Sequence, residues 1–254
     1  MRNLFTILAA VLVVGCTAPT TSERPRLMFD LAHGQFQDVF VDPSYYDYVI
    51  PDYQVILDSL DIEYVPNRVE ITAQSLEGID VLLMLSPLAR STQVPLTEGE
   101  KQAISDYIRG GGSLIIMIDE EEYRVALDEY GSNDITSQFG IVVGEDITDV
   151  PGNCGAVSIP NEIFGGRREV PYSGSRLVMG GIPGSLCMEG GYVHGAYTVT
   201  PNGGKLYVLG ETMVGLLMGY PDGERNVHRN MQTRWWGKDS RLFMAELIAW
   251  AVRK

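Results

Sequence analysis

Six side chains with acid, base or hydroxyl chemistry stand where apolar runs of the chain end: Asp30, His33, Ser86, Asp119, Glu120 and Glu211. A carboxylate beside an imidazole is the minimum set for general acid/base work. Two or three carboxylates together can hold a divalent cation through oxygen ligands. Carboxylates are also hydrogen-bond acceptors for a sugar or a peptide, and Tyr45, Tyr46 and Tyr48 offer flat faces on which such a ligand stacks. A plainer role competes at each position. Acids at strand ends commonly cap the next helix, His33 can fix its own loop, and tyrosines at this spacing pack as ordinary amphipathic residues.

The elements around these residues decide whether they meet. Gly110–Glu122 reads GGGSLIIMIDEEE, a glycine stop, an apolar strand over Leu114–Ile118, and three acids. In an open α/β sheet the carboxyl end of such a strand opens onto the ligand crevice, and many enzymes place a nucleophile on the turn that follows. Here the turn offers Asp119 and Glu120, with no Cys or Ser.

The same rhythm runs through the first half. Arg26–Leu31 is a strand. Pro51 suits a first helical turn, and Tyr53, Ile56, Leu57 and Leu60 form one helical face. Ile62–Val65 is a short strand ended by Pro66, and Val81–Leu85 reads as a strand buried on both faces. Thr97-x-x-Glu100 is a capping box for a helix whose buried stripe is Ala103, Ile104, Tyr107 and Ile108. Tyr123, Leu127 and Tyr130 suggest a helix closed by Gly131, followed by a helical turn and a short strand over Ser132–Gly144. Alternating strands and helices imply a parallel sheet with helices on both faces. The expected fold is therefore α/β, a three-layer flavodoxin-like sandwich with a mainly parallel sheet.

Gly152–Gly204 breaks the rhythm, with thirteen glycines in fifty-three residues and no helical period. It predicts a β-and-loop insertion at about 145–204. Lys205–Leu209 returns to strand pattern and leads to Glu211. Asp239 is placed to cap a last helix, with Leu242, Phe243, Leu247 and Trp250 facing inward. His194 and His228 have no partner at metal-ligand spacing and read as surface or loop hydrogen-bonding residues, and Trp235-Trp236 as packing under the insertion.

The formal charge of −14, with no run of basic residues to offset it, argues against a nucleic-acid phosphate partner. Arg2, an apolar Leu4–Val14 and the ending Val13-Val14-Gly15-Cys16 have the layout of a secretory signal. VVGC resembles the lipobox of bacterial lipoproteins, which implies lipidation of Cys16, a signal peptide over 1–15, a tether over 16–25 and a domain over 26–254. The expected address is the cell envelope, as an exported, membrane-anchored lipoprotein with an outer-membrane or periplasmic placement in a double-membraned cell. With Cys16 lipidated, Cys154 and Cys187 remain, and an oxidising compartment makes a disulfide the expected pairing. Neither has a second Cys or His at ligand spacing, so no metal site is expected there.

The first strand ending near HG, the strand followed by SP, the capped helix ending in GGG, the strand LIIMID, then QFGIVV, GGKLYVLGET and AELIAWAV together resemble the class I glutamine amidotransferase-like superfamily. The closer similarity is to its non-catalytic GIFT-type branch, seen in gliding-motility transporter auxiliary proteins, intraflagellar transport proteins and a set of exported proteins. It covers Arg26–Gly144 and Lys205–Arg253. Active members carry a Cys on the elbow and a His–Glu pair late in the chain; Asp119-Glu120 stands at this elbow. Without a thiolate there is no thioester route, so the resemblance implies the fold and no amidotransferase activity. The expected function is ligand binding or scaffolding in the envelope without cofactor, with a polar ligand or an envelope protein as partner. The alternative is an envelope hydrolase acting on carbohydrate, with His33 paired to Asp119 or Glu120, or with Glu211 helping to hold a metal.

Overall fold

The computed structural model describes residues 24–35, 49–87, 89–119, 125–149, 155–170, 175–216, 218 and 239–253. The signal, Cys16, the tyrosines 45, 46 and 48, Glu120, Cys154, His228 and Trp235-Trp236 lie outside these residues.

Among the described residues a nine-stranded sheet forms the middle layer. Its first part alternates with helices: β1 (Arg26–Asp30), α1 (Val49–Ser59), β2 (Glu63–Asn67), β3 (Val81–Leu85), α2 (Glu98–Arg109) and β4 (Ser113–Met117). With β11 (Lys205–Leu209) these strands run in the order β2-β1-β3-β4-β11, all parallel. The pleat sends alternate side chains to opposite faces. From β3, Val81, Leu83 and Leu85 enter one core, which holds Tyr53 of α1 together with Phe243 and Leu247. Leu82 and Met84 enter the other, with Ile104 and Ile108 of α2. Two buried faces explain why these strands are apolar without alternation.

The Gly-rich stretch is not a separate appendage. β10 (Val193–Val199), β9 (Ile182–Cys187), β6 (Ala156–Ser158) and β7 (Glu169–Val170) continue the sheet antiparallel beyond β11. Only β5 (Ile141–Asp146) and β8 (Arg176–Gly180) pair apart from it. Short helices α3 (Leu127–Tyr130), α4 (Ser132–Thr136) and α5 (Met213–Leu216) fill the edges, and α6 (Ser240–Val252) is the last helix.

Three expectations need correction. β2 runs through Pro66 to Asn67 rather than ending before it, because β2 is an edge strand and has no outer neighbour to receive the missing N–H. Leu242 is 46% exposed, so it lies on the outer face of α6, while Phe243, Leu247 and Trp250 are buried as expected. Asp239 precedes α6 without a side-chain cap; its carboxylate accepts from the Glu169 N–H at 2.8 Å and ties the helix to β7. The capping box at Thr97 and Glu100 is present in both directions.

Candidate functional site: the carboxyl edge of the sheet

Parallel strands deliver their carboxyl ends to one edge, and the polar residues divide there into two groups. The first surrounds β1. Asp30 ends the strand, and its carboxylate accepts from the Ala32 N–H (3.1 Å), Asn67 Nδ2 (3.3 Å), Gln35 Nε2 (2.5 Å) and His33 Nδ1 (2.7 Å). The other ring nitrogen of His33 lies 3.0 Å from Glu100 Oε1. Glu100 is the capping-box acid of α2, and it also accepts from the N–H groups of Ile71 (2.8 Å) and Thr97 (2.9 Å). Asp30, His33, Gln35, Asn67 and Glu100 are all buried.

Burial alone would lower the His33 pKa, but the hydrogen bond and charge of Asp30, joined by Glu100, outweigh it and hold it above 6.5. Burial alone would raise that of Glu100; the Ile71 and Thr97 N–H groups and the His33 charge hold it below the ordinary value instead. The group is an imidazole ring held between two carboxyl side chains.

The second group is the elbow after β4. The Asp119 N–H donates to Ser86 Oγ at 2.9 Å, and Thr212 Oγ1 donates to Asp119 Oδ2 at 2.5 Å. Glu211, beside Thr212, accepts from the Met213 N–H at 2.8 Å and so caps the start of α5. Asp119 bridges antiparallel to Ser175, and Arg176 of β8 is wholly buried behind it. The Arg176 guanidinium donates to the carbonyls of Asp119 (2.6 Å), Val125 (2.6 Å) and Gly144 (3.3 Å). Gly210 lets the Arg176 backbone approach closely, since a Cβ there would sit 2.3 Å from the Arg176 carbonyl oxygen.

Asp30 thus meets His33, and Ser86 meets Asp119, but the two groups do not form one constellation. Both His33 ring nitrogens are committed to Asp30 and Glu100, which corrects the expected pairing of His33 with Asp119. Among the described residues no group of three His, Cys, Asp or Glu side chains could hold a metal ion. His194 is another correction. It is not at the surface but fully buried on β10, its Nδ1 3.1 Å from Ser185 Oγ, and burial lowers its pKa to about 3.

Gln35, Asn67, Glu100, Tyr130, Arg176 and Thr212 were not among the expected site residues. Glu100 was legible as a cap, but its contact with His33, far away in the chain, has no local signal. Arg176 lies inside the Gly-rich stretch, which has no helical period.

A cleft of about 910 Å³ opens at the opposite, amino edge, lined by Tyr107, Gly111, Lys205, Trp250 and Arg253 among others. Lys205 Nζ donates to the carbonyls of Trp250 (2.6 Å) and Arg253 and lies 5.3 Å from the Trp250 ring centre. Its ammonium is the C-terminal cap of α6. The residues with chemistry are at the other edge, so the cleft's size does not make it the site.

No family model matches the chain, and no curated protein does. Solved structures match in fold. The mmIFT52 N-terminal domain is 14% identical with a TM-score of 0.58, over 90% of this chain and 98% of that one. The cytoplasmic protein STM1381 from Salmonella typhimurium LT2 is 16% identical with a TM-score of 0.54, over 90% and 100%. A ThuA-like protein from Bacteroides uniformis is 12% identical with a TM-score of 0.52, over 94% and 96%. The architecture is an α/β, flavodoxin-like fold.

Proposed function

We propose that this chain is a non-catalytic ligand-binding or scaffolding domain of the cell envelope, a lipoprotein anchored through Cys16, on the GIFT-type branch of the amidotransferase-like fold. The observation that carries the reading is the elbow. An acid stands where active relatives have a thiolate. Its carboxylate accepts from Thr212, and Arg176 holds the turn's backbone from behind. A side chain fixed in this way stabilises a turn and has no nucleophilic role. The fold shared with the mmIFT52 N-terminal domain, over 98% of that domain, supports the placement on the branch. The hydrolase alternative loses its acid/base pair, because His33 is engaged elsewhere.

Thermal-shift titration of the protein with divalent metals and a glycan panel tests the reading. Metal-dependent stabilisation lost in both Asp119→Asn and Glu211→Gln would favour a hydrolase; unchanged melting with all metals favours the binding domain. Cys16→Ser should abolish lipid labelling and membrane association. We also propose the Cys154–Cys187 disulfide. Cys187 ends β9, where it pairs in register with Ala156, two residues after Cys154. Mass spectrometry after alkylation without reductant should show both thiols blocked.

A further inference from the structure

The contacts of His33 depend on its proton in a way that the rest of the edge does not. The ring lies between Asp30 Oδ2 and Glu100 Oε1, at 2.7 and 3.0 Å. An imidazolium has two N–H groups and can donate to both. A neutral imidazole has one, so one contact becomes a lone pair facing a carboxylate oxygen. No third tautomer avoids this.

The two carboxylates are also where the neighbouring segments are gathered. Asp30 holds the loop after β1 through the Ala32 N–H and Gln35, and the end of β2 through Asn67. Glu100 holds the chain after β2 through the Ile71 N–H and the first turn of α2 through Thr97. The His33 carbonyl accepts from the Val94 N–H at 3.5 Å. Among the described residues Tyr130 of α3 is the remaining titratable group facing the cluster. Its hydroxyl is buried without a hydrogen-bond partner among them, in the field of both Asp30 and Glu100.

We propose that His33 is a proton-operated latch: protonated, it clamps the loop after β1 to α2 and to the chain after β2, and on losing its proton it releases that corner of the carboxyl edge. Release moves one proton from the ring to solvent, ends both ion pairs, keeps one neutral N–H···O hydrogen bond and leaves the Tyr130 hydroxyl as a donor for the carboxylate that was let go. The corner that loosens lies at the carboxyl end of β1, where Asp30, His33 and Glu100 join the loop, β2 and α2. The latch concerns conformation and is independent of the binding-domain reading, which rests on the elbow.

The test is an NMR titration of the full chain from about pH 5 to about pH 9, a span that brackets histidine titration. It follows the His33 ring proton and the exchange protection of the Ile71 and Thr97 amides, corrected for base-catalysed intrinsic exchange. The expected midpoint lies above 6.5, and the protection of both amides falls about tenfold across it, while Ile116 in the middle of β4 keeps its own. In His33→Gln the dependence disappears, and in Glu100→Gln the His33 midpoint moves down. A midpoint at or below 6.5, or amide protection constant across the midpoint, overturns the latch. If His33→Gln does not fold, the wild-type titration decides alone.

Discussion

Both ends of the carboxyl edge bury an acid, and they answer it in different ways. Asp30 faces an imidazole, a group that loses its charge as pH rises through its raised pKa. Asp119 faces a hydroxyl, and its turn is held by the Arg176 guanidinium. The β1 end can therefore change state with pH, whereas the elbow is permanent structure. Each of the two acids is engaged, Asp30 by the His33 ring and Asp119 by the Thr212 hydroxyl.

The largest expected effect is at the permanent end. Arg176→Met leaves three backbone carbonyls without their charged donor, in a place water does not reach. The cost should be about 3–5 kcal/mol, read as a lower urea midpoint. A loss under about 1 kcal/mol would mean that the turn holds itself and that the contrast between the two ends is wrong.

At the removable end, His33→Gln should cost about 2 kcal/mol in mildly acidic solution and progressively less as pH rises. The sign follows from linkage. The folded-state pKa is raised above 6.5, so the contribution is complete below 6.5 and is lost as pH rises through the folded value. His194 supplies the opposite limb. Its folded pKa is lowered to about 3 by burial, so the unfolded chain takes up a proton that the folded one refuses once pH drops below 6.5. Stability contributed by keeping this ring neutral is intact above 6.5 and is lost on the way down to about 3. Urea unfolding across pH should show His33→Gln flattening the alkaline limb and His194→Gln the acid limb. Exchange of the two phenotypes would break the account of both sites. The smallest effect should be Thr97→Ala, about 1 kcal/mol, because it removes one hydroxyl acceptor from the capping box and leaves Glu100 in place.

The parallel half of the fold was legible because its signals are local. Continuous apolar runs marked β3 and β4, and the capping box placed the start of α2 within one turn. Asp30, Ser86, Asp119 and Glu211 were placed on the correct edge by topology alone. What could not be read was which of them meet. The His33–Glu100 contact joins residues 67 positions apart, and the Arg176–Asp119 contact residues 57 apart. Neither leaves a pattern in its own neighbourhood. His194 was misplaced for a related reason: its Gly-rich surroundings suggested a loop, yet Gly195 beside it makes room for the Tyr207 hydroxyl and lets β10 pack tightly against β11. In a sheet, glycine can signal close approach as well as a turn.

The central claim is that Asp119 is part of the structure and not of a reaction. The most direct measurement compares the purified chain with Asp119→Asn for turnover of glycoside and amide substrates, with and without divalent cations, and records both melting temperatures. The account predicts no turnover above buffer for either protein. Turnover by the wild type that Asp119→Asn abolishes, with the melting temperature unchanged, would contradict it.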